Sequence, residues 1–136
     1  MSIIDKKVSD IFRWHKVKAR IHLSKDKSFL FCYEKDVWWA SLGSNIGYEE
    51  DGKNNNFERP VLIIKKINKH LVLVIPLSSR LKENNKYYYK FFLNNEYRSA
   101  ILSQIRIISS KRLNRRIGRV SDDDIFEIKN IVKNFI

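Results

Sequence analysis

This chain of 136 residues has little of what marks membrane, secreted or disulfide-bonded proteins. It contains no apolar run of the ~18 residues that a membrane-spanning helix needs, so we expect no membrane association. The first ten residues, MSIIDKKVSD, have no apolar signal core, which predicts a cytoplasmic protein. The one cysteine, Cys32, excludes an internal disulfide, and no neighbouring cluster of ligands indicates a metal site. We expect no cofactor.

Acidic residues are also scarce relative to basic ones. Fifteen Asp and Glu face 27 Lys and Arg, so the formal net charge is +12. Such a surplus favours a polyanionic partner, either a nucleic acid or an acidic protein segment, although basic surfaces also keep proteins soluble. With 43% hydrophobic residues, the chain is long enough to bury the core of one globular domain.

The N-terminal segment has the pattern of an amphipathic helix over residues 2–23. We predict a helical extension over residues 1–30 and one further domain over residues 31–136. The extension would be either a solvated helix packed on that domain or a basic arm that holds RNA or a partner. Its apolar stripe, at three- and four-residue spacing, is predicted to comprise Val8, Ile11, Phe12, His15, Ala19 and His22.

The rest of the chain alternates short apolar runs with turn residues, which predicts antiparallel strands. Pro60 would open one strand, because its missing N–H is tolerated at a first position. Ser121 would cap a C-terminal helix. The apolar stripe of that helix is predicted to comprise Ile125, Ile128, Val132 and Phe135. The pair Asn94-Asn95 predicts a hairpin turn. The fold class is therefore mainly β with α (α+β): a small antiparallel barrel with helices outside. The predicted strands span residues 37–42, 60–67, 71–77, 87–93, 96–102, 104–108 and 115–120.

A long polar loop over residues 43–58 separates the first two of these strands. Long ordered loops in small domains are usually functional. This one contains Glu49 and ends next to Arg59, so a carboxylate and a guanidinium could face one cleft. The adjacent Trp38 and Trp39 should point to opposite faces of the first strand, one of them into the core.

Several motifs occur in the order found in MazF/PemK-type toxins, the ribonuclease toxins of type II toxin–antitoxin systems, and residues 36–136 resemble that family. The resemblance implies an SH3-like barrel, a homodimer and a metal-independent endoribonuclease that cleaves single-stranded mRNA. It implies that the 2′-hydroxyl attacks the neighbouring phosphate, leaving 2′,3′-cyclic phosphate and 5′-hydroxyl ends. It also implies a cognate antitoxin with an acidic tail, and DNA binding together with that antitoxin. The motifs are DVWWASLGSNIGYEEDG, ERPVLII, VIPLSSR, ILSQIR and KRLNRRIGRVS.

The resemblance also implies roles for single residues. Arg59 would be the main catalytic residue, Ser78 matches a threonine that contacts the scissile phosphate, and Glu49 matches a loop carboxylate that orients the arginine or the substrate. Without the resemblance, Arg59 could instead form a structural ion pair with Glu58 or Glu50, and Ser78 could be an ordinary turn serine. Gln104 and Arg106 match groove-lining positions, and position and charge add Lys53, Ser79, Arg80 and Lys82 as predicted RNA-binding residues.

Four positions depart from the family pattern. Lys35 stands where glycine is usual, Ser78 replaces threonine, Ser103 stands where an aspartate often precedes the glutamine, and the run Asn54–Asn56 lengthens the loop. Ser103 leaves the general base open, and the longer loop leaves the cut-site preference open. Two other functions also stay open, since the same barrel can bind nucleic acid or protein without cutting and related, CcdB-like barrel toxins act on DNA gyrase.

Overall fold

The computed structural model describes residues 2–136 of the chain. Two helices flank seven strands, with short 3₁₀ turns at Leu102–Gln104 and Ser110–Arg112. Of the part described, no helix is both long and apolar enough to cross a membrane. The elements are α1 (Ile3–Leu23), β1 (Asp36–Ser41), β2 (Glu58–Lys66), β3 (Leu71–Ser78), β4 (Tyr88–Leu93), β5 (Glu96–Ile101), β6 (Arg106–Ser109), β7 (Leu113–Arg119) and α2 (Asp122–Asn134).

All strand pairs are antiparallel, in the order β4–β5–β3–β2–β1–β7, with β6 also on β3. No backbone ladder among residues 2–136 joins β4 to β7, so the sheet is not closed. The prediction of a mainly antiparallel α+β fold is confirmed, whereas a closed SH3-like barrel is not. The two ends are nevertheless close, since Asn94 Nδ2, in the turn after β4, donates to the Ile117 carbonyl of β7 at 3.0 Å.

The core has two main clusters on opposite faces of the sheet. Helix α2 covers one of them with Ile125, Ile128 and Val132, as its predicted stripe requires. Trp38 lies in the other cluster, and Trp39 is half-buried, so the predicted division of the two rings is confirmed. Burying these faces supplies the main free energy of folding, about 25 cal/mol per Å² of apolar surface.

The strand boundaries differ from the sequence prediction by one or two residues, and two of the differences concern residues named above. Pro60 is the third residue of β2 and faces Trp39 of β1, so it does not open the strand. Gln104 ends a 3₁₀ turn, and β6 begins only at Arg106. In both cases, pairing with a neighbouring strand sets where the strand begins, and the apolar run in the sequence does not.

Helix α1 packs through a different face from the one predicted. Its buried residues are Trp14 and Val17, whereas Val8 and Phe12 are 47% and 67% exposed and His15 is also exposed. The predicted stripe was wrong at these three exposed positions, because the helix turns the face with Trp14 and Val17 toward the domain. In the folded protein, one large indole ring decides the contact.

Candidate functional site

The loop between β1 and β2, residues 42–57, is folded back on itself. The Gly52 N–H donates to the Gly43 carbonyl at 2.8 Å, and Lys53 and Glu58 exchange two backbone hydrogen bonds of 2.7 Å. A Cβ at Gly52 would lie 1.5 Å from the Phe57 carbonyl oxygen, so only glycine fits there. The loop is therefore a shaped part of the fold, and it presents its carboxylates in defined directions.

Arg59, at the start of β2, is held by two hydrogen bonds and one ion pair. Its Nε donates to the Asp51 carbonyl at 2.6 Å, its Nη1 donates to the Leu77 carbonyl at 3.0 Å, and its Nη2 lies 2.9 Å from Glu50 Oε2. A guanidinium carries five N–H groups. Three on the terminal nitrogens thus make no hydrogen bond among residues 2–136, and Nη2 forms the ion pair with Glu50. The side chain is 13% exposed, so its position is fixed while its end remains accessible.

Arg59 and Ser78 line one cleft of about 580 Å³. They meet because Ser78 ends β3 directly after Leu77, whose carbonyl binds the guanidinium. The Ser78 Oγ accepts the Arg80 N–H at 3.1 Å, which leaves its own proton free to donate. The structure therefore brings together a guanidinium and a hydroxyl that are far apart in the sequence.

The carboxylate next to Arg59 belongs to Glu50. Glu49 is exposed, and its Oε1 accepts the backbone N–H of Ile46 at 3.0 Å. Of the alternative ion pairs for Arg59, the one with Glu50 is formed, whereas Glu58 binds Arg115 at 2.8 Å. Among residues 2–136, Glu49 forms no hydrogen bond or ion pair with Arg59. Its orienting role therefore stays a prediction.

Gln104 and Arg106 line a neighbouring cavity of about 590 Å³, which shares Glu50 with the cleft. Gln104 Oε1 accepts the Glu50 N–H at 2.7 Å, and its Nε2 donates to the Tyr48 carbonyl at 3.1 Å. Gln104 thus fastens the loop at the residue that pairs with Arg59. The predicted RNA-binding role of Gln104 stays a prediction beside this structural role.

The remaining predicted RNA-binding residues divide into two groups. Lys53, Ser79 and Arg80 line the cleft with Arg59. Lys82 is not among the cleft residues; its ammonium lies 5.1 Å from the centre of the Tyr88 ring.

The sequence prediction missed Trp39 and Arg98, which also line the cleft. The Arg98 side chain is 17% exposed, and its Nε is buried without a hydrogen-bond partner in the described residues. Only the strand register places both residues there. Among residues 2–136, no group of three or more His, Cys, Asp or Glu could hold a metal ion.

Comparisons with known proteins agree with this architecture. The family model described as PemK-like, MazF-like toxin of type II toxin–antitoxin system matches residues 33–136. No curated protein matches at a significant level.

Three solved structures are similar in fold. MazF from Deinococcus radiodurans has a TM-score of 0.63 at 14% identity, covering 76% of this chain and 94% of that one. MazE–MazF from the same organism has a TM-score of 0.57 at 14% identity, with the same coverage. The Mycobacterium tuberculosis toxin MazF-mt6 has a TM-score of 0.55 at 17% identity, covering 73% and 93%.

Proposed function

The chain belongs to the PemK-like, MazF-like toxins of type II toxin–antitoxin systems, and we propose that it is an endoribonuclease that cuts single-stranded mRNA in the Arg59 cleft. One observation carries this proposal. The guanidinium of Arg59, fixed by two hydrogen bonds and one ion pair, shares a cleft with the hydroxyl of Ser78, whose proton has no acceptor among residues 2–136. Family membership supports the reaction class, and the geometry supports the choice of residues.

The proposed reaction needs no metal. The 2′-oxygen of the ribose forms a bond to phosphorus and passes its proton to a general base, while the bond to the 5′-oxygen breaks and that oxygen takes a proton from a general acid or water. The products are a 2′,3′-cyclic phosphate and a 5′-hydroxyl. Negative charge grows on the two non-bridging oxygens in the transition state. The free N–H groups of Arg59 and the Ser78 hydroxyl would donate to these oxygens, and donors fixed in advance are effective because they need no reorganisation.

The surroundings of the cleft support binding of a phosphate chain. Lys53 and Arg80 on its walls and a net charge of +12 attract RNA. The neighbouring cavity, reached past Glu50, would receive the adjoining nucleotides beside Gln104 and Arg106. Tyr48 is fully exposed at its rim and offers a face for base stacking.

We further propose a homodimer in the cytoplasm and neutralisation by an acidic antitoxin, with which the toxin would bind DNA. The similarity to a MazE–MazF structure supports the antitoxin partner. An acidic segment would suit the net charge of +12 and would compete with RNA for the Arg59 cleft.

The test is cleavage of single-stranded RNA by the purified protein in EDTA, with analysis of the new ends. We expect cyclic phosphate ends, and Arg59→Ala should slow cleavage by ~10²–10³, the usual effect of removing one fixed donor. Arg20→Ala removes an equal charge from an exposed residue of α1 and serves as the control. RNA that is bound but intact would indicate a binding module. Gyrase poisoning without RNA cleavage would indicate the gyrase-directed alternative.

A further inference from the structure

We propose that helix α1 is a positioning element of the active site, and that Lys7 is its main polar contact. This inference rests on the proposed function. The family model begins at residue 33, so α1 lies outside the matched part of the chain. Nevertheless α1 packs directly on the loop that holds Arg59. Both a polar and an apolar contact join them.

The polar contact runs through Asp51. Lys7 Nζ lies 2.7 Å from Asp51 Oδ2 and 3.0 Å from Ser44 Oγ. The other carboxylate oxygen of Asp51 accepts the Asn45 N–H at 2.5 Å. The carbonyl of the same residue accepts Nε of Arg59 at 2.6 Å. One loop residue is thus bound by α1 through its side chain and by the catalytic guanidinium through its backbone.

The apolar contact secures both ends of the loop. Trp14 is 6% exposed, and its ring centre lies 5.6 Å from that of Phe57, two residues before Arg59. At the other end, a Cβ on Gly43 would lie 2.3 Å from the Trp14 ring, and Gly43 has a φ of +93°. The indole therefore packs against backbone that only glycine can supply.

Cationic groups reinforce this packing. The Arg13 guanidinium lies 5.3 Å from the centre of the Phe57 ring, and that of Arg112 lies 5.8 Å from the Trp14 ring. Arg112 also donates to the Ser41 carbonyl at 3.1 Å, at the end of β1. Contacts of this kind stabilise the packing beyond the effect of the buried area, because a cation over an aromatic face is electrostatically attracted to it.

The consequence for catalysis follows from the shared residue. Because Nε of the guanidinium is bound to a loop carbonyl, any displacement of that carbonyl also displaces the guanidinium. Small displacements of a catalytic group reduce rate strongly while leaving substrate binding nearly intact. Lys7 is not among the residues that line the cleft, so its loss should affect turnover more than RNA affinity.

Three variants of the full-length protein test the inference. Lys7→Met removes the ammonium and keeps the aliphatic stem, Lys7→Arg restores a cation, and Lys16→Met removes the same charge from an exposed position of α1. We expect Lys7→Met to lower the single-turnover cleavage rate about 5-fold, as expected for a partly exposed ion pair, with the RNA Kd equal to that of Lys16→Met. Lys7→Arg should restore most of the rate. Equal cleavage rates for Lys7→Met and Lys16→Met would overturn the inference.

Hydrogen exchange without RNA gives a second measurement that does not depend on the activity. We expect the amides of residues 42–57 to exchange faster in Lys7→Met and in Trp14→Ala than in Lys16→Met. The amides of β3 serve as an internal reference for a folded sheet. Unchanged loop exchange in both variants would refute the inference. A different result would refute the proposed function alone. In that case the wild-type protein cuts no RNA, but the loop amides still exchange faster in the variants.

Discussion

Glu50 and Arg59 face each other across the mouth of the cleft, with 2.9 Å between Oε2 and Nη2. The pair is mostly buried, and Gln104 anchors the backbone of Glu50 while Asp51 and Leu77 bind the guanidinium. An ion pair in such surroundings orients a side chain more than it stabilises the fold, because desolvation offsets much of the attraction.

This arrangement predicts different effects of two neighbouring substitutions. Glu50→Gln keeps the shape of the side chain but removes the charge that orients Arg59, so single-turnover cleavage should slow about 10-fold. Glu49→Gln should change the rate less than about 2-fold, because its contact is with the backbone of its own loop. The measurement is RNA cleavage at saturating enzyme. If Glu49→Gln slowed cleavage more than Glu50→Gln, Glu49 would be the residue that orients Arg59.

A second pair of substitutions tests the hydroxyl of Ser78. Ser78→Ala should lower the cleavage rate by ~10², since a donor to the phosphate oxygens is lost. Ser78→Thr should retain activity, because the hydroxyl remains and β-branching restricts its rotamer. Ser9→Ala, on α1 and outside the cleft, removes the same hydroxyl group and is the control. Equal rates for the two alanine variants would argue against a role for Ser78.

The hydrogen bond of Tyr89 predicts that the protein loses stability at alkaline pH. Its Oη donates to Asp124 Oδ1 at 2.8 Å, and burial together with this carboxylate raises the pKa of Tyr89 well above its ordinary value. A phenol with a raised folded-state pKa contributes stability that is complete below its unfolded pKa of ~10 and is lost as the pH rises beyond it.

The measurement is thermal unfolding as a function of pH. Tyr89→Phe should lower the free energy of unfolding by about 1 kcal/mol at neutral pH and should show a smaller decline than wild type above pH ~10. Tyr88→Phe controls for the loss of a neighbouring hydroxyl. If Tyr89→Phe and wild type lose stability in parallel above that pH, the hydrogen bond is not the cause.

Lys35 offers a test of backbone strain. Its φ of +76° lies in the left-handed region, which costs about 1–2 kcal/mol for a residue with a Cβ. Its ammonium pairs with the exposed Asp122, a contact that contributes little. Lys35→Gly should therefore raise the free energy of unfolding by about 1 kcal/mol in denaturant titrations. Lys35→Ala retains the strain and should give no gain; equal gains in both variants would exclude strain as the explanation.

Local features of the sequence predicted several elements correctly. Ser121 caps α2, with its side chain accepting the Asp124 N–H, and three buried residues follow at helical spacing. The pair Asn94 and Asn95 forms the hairpin turn between β4 and β5, and both residues have positive φ. These predictions succeed because caps and turns depend on residues within four positions of each other.

The sequence by itself determined the antiparallel α+β elements and the positions of Arg59 and Ser78 at two strand ends, since periodicity and turn chemistry are local properties. Only the tertiary structure decided that Glu50 rather than Glu49 faces Arg59, that α1 binds through Trp14, and that the sheet stays open. Each of these depends on partners far along the chain: Gln104 for Glu50, Gly43 and Phe57 for Trp14, and the separation of β4 from β7. Such contacts have no signature in local spacing, because the chain must fold before the two partners meet.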